Sequence, residues 1–387
     1  MKYFRLSQDA VKALADTYST PLLVLSLEQI ELNYNLLAEN MPDVKIYYAV
    51  KANPDERLVR KLSELGCYFD VASDGEMRML QQMNIEADRM VYANPVKTAS
   101  GLSVAQDVGV HKFTFDCESE IDKMATAIPG GTVLLRIRVD NPHALVDLNK
   151  KFGAHPDEAL DLLSKAQAAG LDVAGLCFHV GSQSTSDEAY LEALKICRRL
   201  FDEAALRGMN LHILDIGGGF PIPTLTEEPD VAAMSAAIYK VIKQYFPDTE
   251  IWAEPGRYIC GTAVNLITQV IGTKMRNNQQ WYFLDDGLYG TFSGVIFDHW
   301  DFELETFKTG KKISATFAGP SCDSLDIMFR DKETVPLELG DLILVPNCGA
   351  YTSASATVFN GFAKTQIVVW EEVYEAIQSK LELATAG

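Results

Sequence analysis

Short apolar runs alternate with stretches of helical periodicity along most of the chain. The runs are rich in β-branched and aromatic residues, which is typical of buried strands. The segments between them, such as 187–207, carry apolar residues at helical spacing. The eight runs are KIYYAV (45–50), YFDVA (68–72), MVYAN (90–94), KFTFD (112–116), VLLRIRV (133–139), VAGLCFHV (173–180), LHILDIG (211–217) and EIWAE (250–254). This alternation predicts an α/β fold, a (β/α)8 TIM barrel, with a doubly wound parallel sheet as the competing architecture.

The pattern changes after Cys260. Four strand-like runs follow with little helix between them, and Gly, Asp and Asn turns bound them: NLITQVIGTKM, QWYFLDDGL, DLILVPN and KTQIVVW. They predict a second, mainly β domain, to which TPLLVLS near residue 20 is also assigned. The predicted limits are 27–262 for the barrel and 1–26 plus 263–387 for the β-rich domain.

Composition and charge narrow the class of partner. The chain has 387 residues, of which 48% are hydrophobic and 22% charged, as in ordinary globular proteins. Its formal net charge is -19, from 53 acidic and 34 basic residues. Such a surface repels nucleic acid and anionic lipid, and it favours the approach of a small cation.

Targeting and cysteine patterns indicate the compartment. The first 21 residues are polar throughout and lack the apolar core of a signal peptide, and no run of eighteen apolar residues predicts a membrane span. The seven cysteines are odd in number and widely spaced, with no CxxC pair. They predict no disulfide framework and no metal site, and a cytoplasmic location is expected.

Polar residues follow one predicted barrel strand after another. The C-terminal ends of the strands form the catalytic cleft of a TIM barrel, so these side chains are candidates for one site. They are Lys51, Asp70, Ser73, Arg136, His179, Ser182, Gly217–Gly219, Glu254 and Arg257.

Each candidate has a structural alternative. Lys51 is either a solvated strand end or a partly desolvated amine suited to Schiff-base chemistry. The three glycines of LDIGGGF suit a tight turn, or a phosphate held on backbone N–H groups. Glu254 is a helix-start carboxylate or the partner of a cationic heterocycle, and His179 is a core histidine or a group that stacks on a flat ring. Arg136, if buried, requires an anion or polar partners.

Seven motifs occur in the order of a known family: YAVKANP, FDVAS, FHVGSQ, LDIGGGFP, AEPGRY, GPSCDSLD and GAYTSASATVFNGF. Together they resemble the fold type III decarboxylases that use pyridoxal 5'-phosphate (PLP), an alanine-racemase-like barrel class. The resemblance is greatest to ornithine and lysine decarboxylases of the eukaryotic ornithine decarboxylase type, and it extends from about Phe4 to Trp370.

The resemblance implies a set of cofactor residues. Lys51 would carry PLP covalently, His179 would stack on its ring, and Glu254 would pair with the ring nitrogen. The phosphate would be bound by Ser182, Gly217, Gly218, Gly219, Gly256, Arg257 and Tyr351. Further cofactor-side positions are Asp70, Glu76 and Arg136.

The resemblance also implies the acid and the substrate pocket. Cys322 would protonate Cα after loss of the carboxylate, and Asp298 and Asp323 would bind the distal amine of a basic L-amino acid. Tyr289 and Phe359 are further substrate-side positions. Phe297 departs from the family pattern, because a tyrosine stands there in eukaryotic relatives.

The family's active site is shared between two subunits, with the Cys322–Asp323 segment and Tyr289 supplied by the partner, so the resemblance implies a homodimer. The expected reaction is L-ornithine to putrescine, L-lysine to cadaverine, or both, as in polyamine biosynthesis. A lysine-preferring or dual enzyme stays open, since one methylene discriminates by only about 1–3 kcal/mol. The rival interpretations are a diaminopimelate decarboxylase, against which Asp323 argues, a racemase, and an inactive regulatory homologue.

Overall fold

A computed structural model describes residues 3–141, 144–145 and 150–386. Its strands within these ranges are β1 (Leu22–Leu25), β2 (Val44–Ala49), β3 (Tyr68–Val71), β4 (Met90–Tyr92), β5 (Lys112–Phe115), β6 (Thr132–Arg136), β7 (Asp172–Cys177), β8 (Ile213–Asp215), β9 (Glu250–Ala253), β10 (Val264–Arg276), β11 (Gln279–Leu284), β12 (Glu305–Thr306), β13 (Ile313–Ala318), β14 (Ile327–Thr334), β15 (Leu342–Val345) and β16 (Gln366–Val369).

The α-helices alternate with the barrel strands and are sparse elsewhere. They are α1 (Gln8–Tyr18), α2 (Leu27–Asn40), α3 (Glu56–Glu64), α4 (Asp74–Gln82), α5 (Ala99–Val108), α6 (Glu118–Ala127), α7 (Ala159–Ala168), α8 (Glu188–Leu206), α9 (Val231–Tyr245), α10 (Arg257–Cys260), α11 (Gly294–Phe297) and α12 (Trp370–Ala386). None of the helices in the described ranges is long and apolar enough to cross a bilayer.

The strands β2 to β9 form a closed parallel barrel in chain order, in which β9 pairs with β2. All eight predicted runs are barrel strands, so the predicted fold class is confirmed. The barrel interior is closed by an apolar cluster in which Tyr47 packs against Trp252 at 4.7 Å between ring centroids. The C-terminal strand ends lie beyond this packed layer, and they are where side chains can line a cleft.

The remaining strands form a curled, mainly antiparallel sheet. In it β1 pairs antiparallel with β10 and parallel with β16, so the TPLLVLS run does belong to the β-rich part. Leu22 and Val24 of β1 share a core with α1 and with Ile377 of α12.

Two compact units account for the chain. The barrel unit comprises Glu31–Ile222 and Glu228–Ile259, and the β unit comprises Met1–Ile30, Pro223–Glu227 and Cys260–Gly387. Each unit contains a separate group of the predicted site residues.

Candidate active site

An amine and a carboxylate meet at the mouth of the barrel. Lys51 lies in a 3-10 turn (Val50–Ala52) directly after β2, and its Nζ is 2.5 Å from Oδ2 of Asp70 near the end of β3. The pairing follows from the parallel register of the two strands, in which Ala49 is opposite Asp70. The Lys51 side chain keeps 43% of its surface exposed, whereas that of Asp70 is 1% exposed. The amine is therefore accessible and oriented by a buried carboxylate.

Arg136 ends β6 with part of its guanidinium unsatisfied. Its Nε and Nη2 are buried and have no hydrogen-bond acceptor in the described part of the chain. A buried guanidinium without acceptors is costly, so these atoms suit an anionic or polar ligand. The Oδ1 of Asp70 is also buried and without a hydrogen-bond partner in the same set of residues.

His179 is held neutral. Its Nδ1 accepts a hydrogen bond of 2.9 Å from the backbone N–H of Gly181, which leaves the ring proton on Nε2. Burial and the positive charges of Arg136 and Lys51 hold the His179 pKa well below its ordinary value. An uncharged, fixed imidazole in a cleft is suited to stacking on a flat ligand ring.

The glycine loop after β8 lies against the segment after β7. Gly217 and Gly219 have φ of 67° and 115°, and a Cβ on Gly217 would lie 2.1 Å from the carbonyl oxygen of Phe178. Side chains therefore cannot replace these glycines without moving the backbone.

The carbonyl groups of this loop accept hydrogen bonds, whereas two of its amides, those of Gly218 and Gly219, have no acceptor among the described residues. The Tyr190 hydroxyl donates to the Gly218 carbonyl at 2.8 Å, and the Ser184 N–H donates to the Gly219 carbonyl at 2.8 Å. Free amides in a glycine loop form an anion-binding concavity.

Two side chains complete this concavity. Arg257, which begins α10 directly after Gly256, is 5% exposed, and its Nε donates to the Ser182 hydroxyl at 3.3 Å. A guanidinium, a hydroxyl and free amides together have the donor chemistry that a phosphate group requires.

Glu254 follows β9 and lies beside a second carboxylate. Its backbone N–H donates to the Gly217 carbonyl at 2.8 Å, and its side chain is within hydrogen-bonding reach of Asp215. Burial raises the pKa of Glu254 well above its ordinary value, and the charges of Asp215 and Asp70 add to the effect. Burial also raises the pKa of Asp215. The two carboxyl groups therefore share a proton.

Glu76 takes part in the hydrogen bonding that caps the N-terminus of α4. Ser73 caps α4 by accepting from the Glu76 N–H at 3.3 Å, and the Glu76 carboxylate accepts from the Ala72 N–H at 2.6 Å. Burial raises the Glu76 pKa to about 7. This helix cap accounts for Glu76 whether or not a ligand also contacts it.

The β unit brings together most of the substrate-side candidates. The Tyr289 hydroxyl donates to Oδ2 of Asp323, and its ring stacks on Phe359 at 4.3 Å between centroids. Cys322 precedes Asp323 and is exposed, with its backbone N–H bound to Oδ1 of Asn360 at 3.1 Å. We call these four residues, Tyr289, Cys322, Asp323 and Phe359, the cysteine cluster.

Charge in the cysteine cluster is stabilised locally. Hydrogen bonds from the Leu325 N–H and from Tyr289 hold the pKa of Asp323 below its ordinary value. The same contact with Asp323 raises the pKa of Tyr289. Asp323 is therefore a carboxylate at neutral pH and suits a cationic ligand.

Three candidates lie elsewhere in the β unit. Asp298 is the C-cap residue of α11, and Phe297 beside it is 63% exposed. Tyr351 has a left-handed φ of 55°, and its carbonyl accepts from the Ser355 hydroxyl at 3.0 Å.

Sequence reasoning missed several residues that shape the site. Asp215, Tyr190 and Gln183 hold loops of the barrel unit through side-chain hydrogen bonds, and Asn360 does so in the cysteine cluster of the β unit. Asp215 had one visible signal, since it is a charged residue in an otherwise apolar strand, immediately before the glycine loop. Gln183 and Asn360 have φ near 58° and 55°, which no sequence pattern indicates.

Comparison with known proteins gives matches along the whole chain. Residues 27–261 match the family described as "Pyridoxal-dependent decarboxylase, pyridoxal binding domain". A lysine/ornithine decarboxylase of Selenomonas ruminantium is 54% identical over 373 residues, covering 96% of this chain and 95% of the relative.

Solved structures match equally broadly. SrLDC in complex with PLP and cadaverine superposes with a TM-score of 0.94 at 52% identity, covering 99% of this chain and 98% of the other. The lysine/ornithine decarboxylase of Vibrio vulnificus complexed with cadaverine gives a TM-score of 0.87 at 34% identity, covering 95% and 98%.

Proposed function

The chain belongs to the pyridoxal-dependent decarboxylase family, and we propose that it removes the α-carboxylate of L-lysine, L-ornithine or both, with PLP as cofactor. One observation supports this most strongly. A single end of one barrel presents an amine paired with a carboxylate, a neutral imidazole and a phosphate-type cradle.

The barrel mouth fits PLP in its donor chemistry. Ser182, Arg257 and the free amides of the glycine loop would bind the phosphate, and Lys51 would hold the aldehyde carbon covalently. His179 would stack on the ring, and Glu254 would accept a hydrogen bond from the ring nitrogen. Arg136 carries unsatisfied donors that suit a ligand. We expect Tyr351 to reach the phosphate, as the family resemblance implies.

PLP, when bound, supplies a ring that accepts the electron pair released as the carboxylate leaves as CO2. The residues of the chain determine where protons go. Glu254 would keep the ring nitrogen protonated, because an acidic partner beside that nitrogen stabilises its protonated form. Cys322 would donate the proton that replaces the carboxylate at Cα, a role that typically contributes about 10²–10⁴ in rate.

Substrate choice would depend on the carboxylates of the β unit. Asp323 is ionised and held by two hydrogen bonds, so it suits the distal ammonium of a basic amino acid. Asp298 is proposed as its companion. The relatives crystallised with cadaverine support a diamine product of this kind.

A homodimer with shared active sites is part of the proposal. The cysteine cluster is surrounded by large exposed apolar side chains, including Leu325 at 71%, Val358 at 64% and Phe362 at 47% exposure. An apolar surface of this kind around reactive groups is suited to burial against a second copy. The proposed location is the cytoplasm.

A CO2-release assay on the PLP-loaded protein tests the activity, with L-ornithine, L-lysine, L-arginine and meso-diaminopimelate in parallel. We expect release from lysine or ornithine and little from diaminopimelate. Release from diaminopimelate alone, or from none of the four despite bound PLP, would refute the substrate assignment.

Mixed subunits test the shared site. Lys51→Ala and Cys322→Ala proteins, each inactive alone, are dissociated and reassociated together. If each site draws Lys51 and Cys322 from different subunits, half of the dimers are mixed and each has one complete site, giving about a quarter of the original activity. No recovery after verified exchange would show that both residues act within one chain.

A further inference from the structure

Asp215 is a buried carboxylate that the proposed mechanism does not use. It ends β8, is 1% exposed, and precedes the glycine loop by two residues. Its Oδ1 accepts a hydrogen bond from the Gly217 N–H at 2.8 Å, so one carboxylate oxygen binds the glycine loop.

The Asp215 carboxyl also lies beside the carboxyl of Glu254. Oδ2 of Asp215 and Oε1 of Glu254 are both buried, and neither receives a hydrogen bond from an N–H or O–H group of the described residues. The two side chains are within hydrogen-bonding reach of each other. A proton between the two carboxyls satisfies both groups, which otherwise would be buried and unpaired.

The backbone holds this pair in register. Asp215 is opposite Trp252 in the parallel ladder of β8 and β9, and the ladder continues as Ile216 N–H bonds to the Trp252 carbonyl at 2.9 Å. The Glu254 N–H then bonds to the Gly217 carbonyl at 2.8 Å. The two side chains therefore emerge from neighbouring strand ends that cannot slide past each other.

We propose that Asp215 is a positioning residue that joins the phosphate loop to the partner of the ring nitrogen through two hydrogen bonds, one to the Gly217 N–H and one to the Glu254 carboxyl. This inference rests on the proposed function, because it takes the glycine loop and Glu254 as the groups that hold PLP. The two ends of the cofactor are then fixed relative to each other by one side chain.

Three substitutions separate the two bonds. Asp215→Asn keeps both, since its oxygen can accept from Gly217 and its amide can donate to Glu254. Asp215→Ser keeps the bond to Gly217, as serine hydroxyls do in local turns, but is too short to reach Glu254. Asp215→Ala loses both. Asp116→Ala is the matched control, because Asp116 also accepts a glycine N–H, that of Gly153 at 2.8 Å, in a loop after a barrel strand.

The first measurement is the dissociation constant of PLP, with the unfolding temperature of each apoprotein beside it. We expect Asp215→Ala to weaken PLP binding about 10- to 100-fold, with Asp215→Ser weakened less and Asp215→Asn and Asp116→Ala near the original protein. The apoproteins of the Ser and Asn variants should unfold at similar temperatures. If PLP binding followed apoprotein stability across the series, Asp215 would be a stability residue and the inference would be wrong.

The second measurement is the 15N NMR signal of holoenzyme loaded with PLP labelled at the pyridine nitrogen. We expect the signal of a protonated nitrogen in the original protein and in Asp215→Asn, and a shift toward the unprotonated signal in Asp215→Ser. If the signal were unchanged in Asp215→Ser, or if Asp215→Asn shifted it as much as Asp215→Ser does, the proposed hydrogen bond between Asp215 and Glu254 would be refuted. Failure of the original protein to bind PLP would refute the proposed function itself, an outcome distinct from either of these.

Discussion

The barrel mouth and the cysteine cluster differ in how their groups are held. At the barrel mouth, Asp70 and Arg257 are nearly buried, and donors such as the glycine amides are left free by their own backbone. In the cysteine cluster, Cys322 is exposed and Phe359 keeps 39% of its surface exposed. Pre-organised groups of the first kind suit a resident cofactor, whereas exposed groups of the second kind suit an exchanging substrate and a covering partner.

The difference between the two regions predicts that PLP retention and turnover can be changed separately. Substitutions at the barrel mouth should change both the retention of PLP and turnover. Substitutions in the cysteine cluster should change turnover or substrate affinity while PLP stays bound. The four predictions below test this division in order of decreasing effect.

Lys51→Ala should lower turnover by about 10⁵-fold or more, since a positioned amine has an effective molarity of that order. Reduction with borohydride followed by mass spectrometry should find no cofactor attached to the chain. Lys45→Ala is the control, because Lys45 lies in β2, just before the turn that holds Lys51, and pairs with Glu250, 2.7 Å away. Covalent attachment that survives in Lys51→Ala would assign the role to another lysine.

Cys322→Ala should lower turnover by about 10²–10⁴, the usual contribution of a general acid. PLP should remain bound with an unchanged absorption spectrum, and part of the turnover should end in transamination because protonation is misdirected. CO2 release and product analysis measure both effects, with the partly exposed Cys117→Ala as control. Unchanged turnover and product would show that another residue is the general acid. Loss of PLP would show that the cysteine cluster also affects cofactor retention, contrary to the proposed difference between the two regions.

Asp323→Asn should raise KM for lysine or ornithine about 10- to 100-fold with little change in kcat, because it removes a charge-assisted bond to the distal ammonium. Asp331→Asn is a control, as Asp331 is an exposed aspartate of the β unit that lies outside the cysteine cluster. An equal KM in the original protein and in Asp323→Asn would show that Asp323 does not bind the substrate.

Tyr289→Phe should raise KM only about 2- to 10-fold at neutral pH, because Asp323 keeps its bond to the Leu325 N–H at 3.0 Å. The lost hydroxyl bond lets the pKa of Asp323 rise toward its ordinary value. A larger fraction of Asp323 is then protonated in acid, so the KM difference should grow as pH falls. Steady-state kinetics across pH measures this trend, and a difference that shrinks in acid would contradict it.

The barrel was predictable from sequence because its strands are buried on both sides and are therefore apolar throughout. The exact ends of these strands were not predictable from sequence. The run LHILDIG was assigned to a strand through residue 217, but β8 ends at Asp215, where the side chain accepts the Gly217 N–H and Gly217 turns to φ of 67°. Such endings depend on side-chain bonds that hydrophobic patterning does not register.

In the β unit, the pattern found β1, β10, β11, β15 and β16 but missed β12, β13 and β14. The charged residues Arg330 to Lys332 lie inside β14, and pairing with β13 shifts register between Ala315 and Phe317. In an exposed edge strand with a bulge, apolar and polar residues do not alternate regularly, and strand prediction depends on that alternation.

Candidate site residues such as Lys51 and Arg257 could be named from the sequence because a motif contains them. Their partners could not, because pairs such as Asp215 with Glu254 become neighbours only when β8 lies beside β9. The contact of Tyr289 with Asp323 likewise joins residues 34 apart in the sequence.

The pairing of β1 with β16 has a consequence for synthesis on the ribosome. The strand Leu22–Leu25 emerges long before its parallel neighbour Gln366–Val369. All eight strands of the closed barrel are translated in the interval. Because domains generally fold as they emerge, the barrel can be complete while β1 still presents an open edge, and a nascent chain arrested before residue 366 would expose that edge to chaperones.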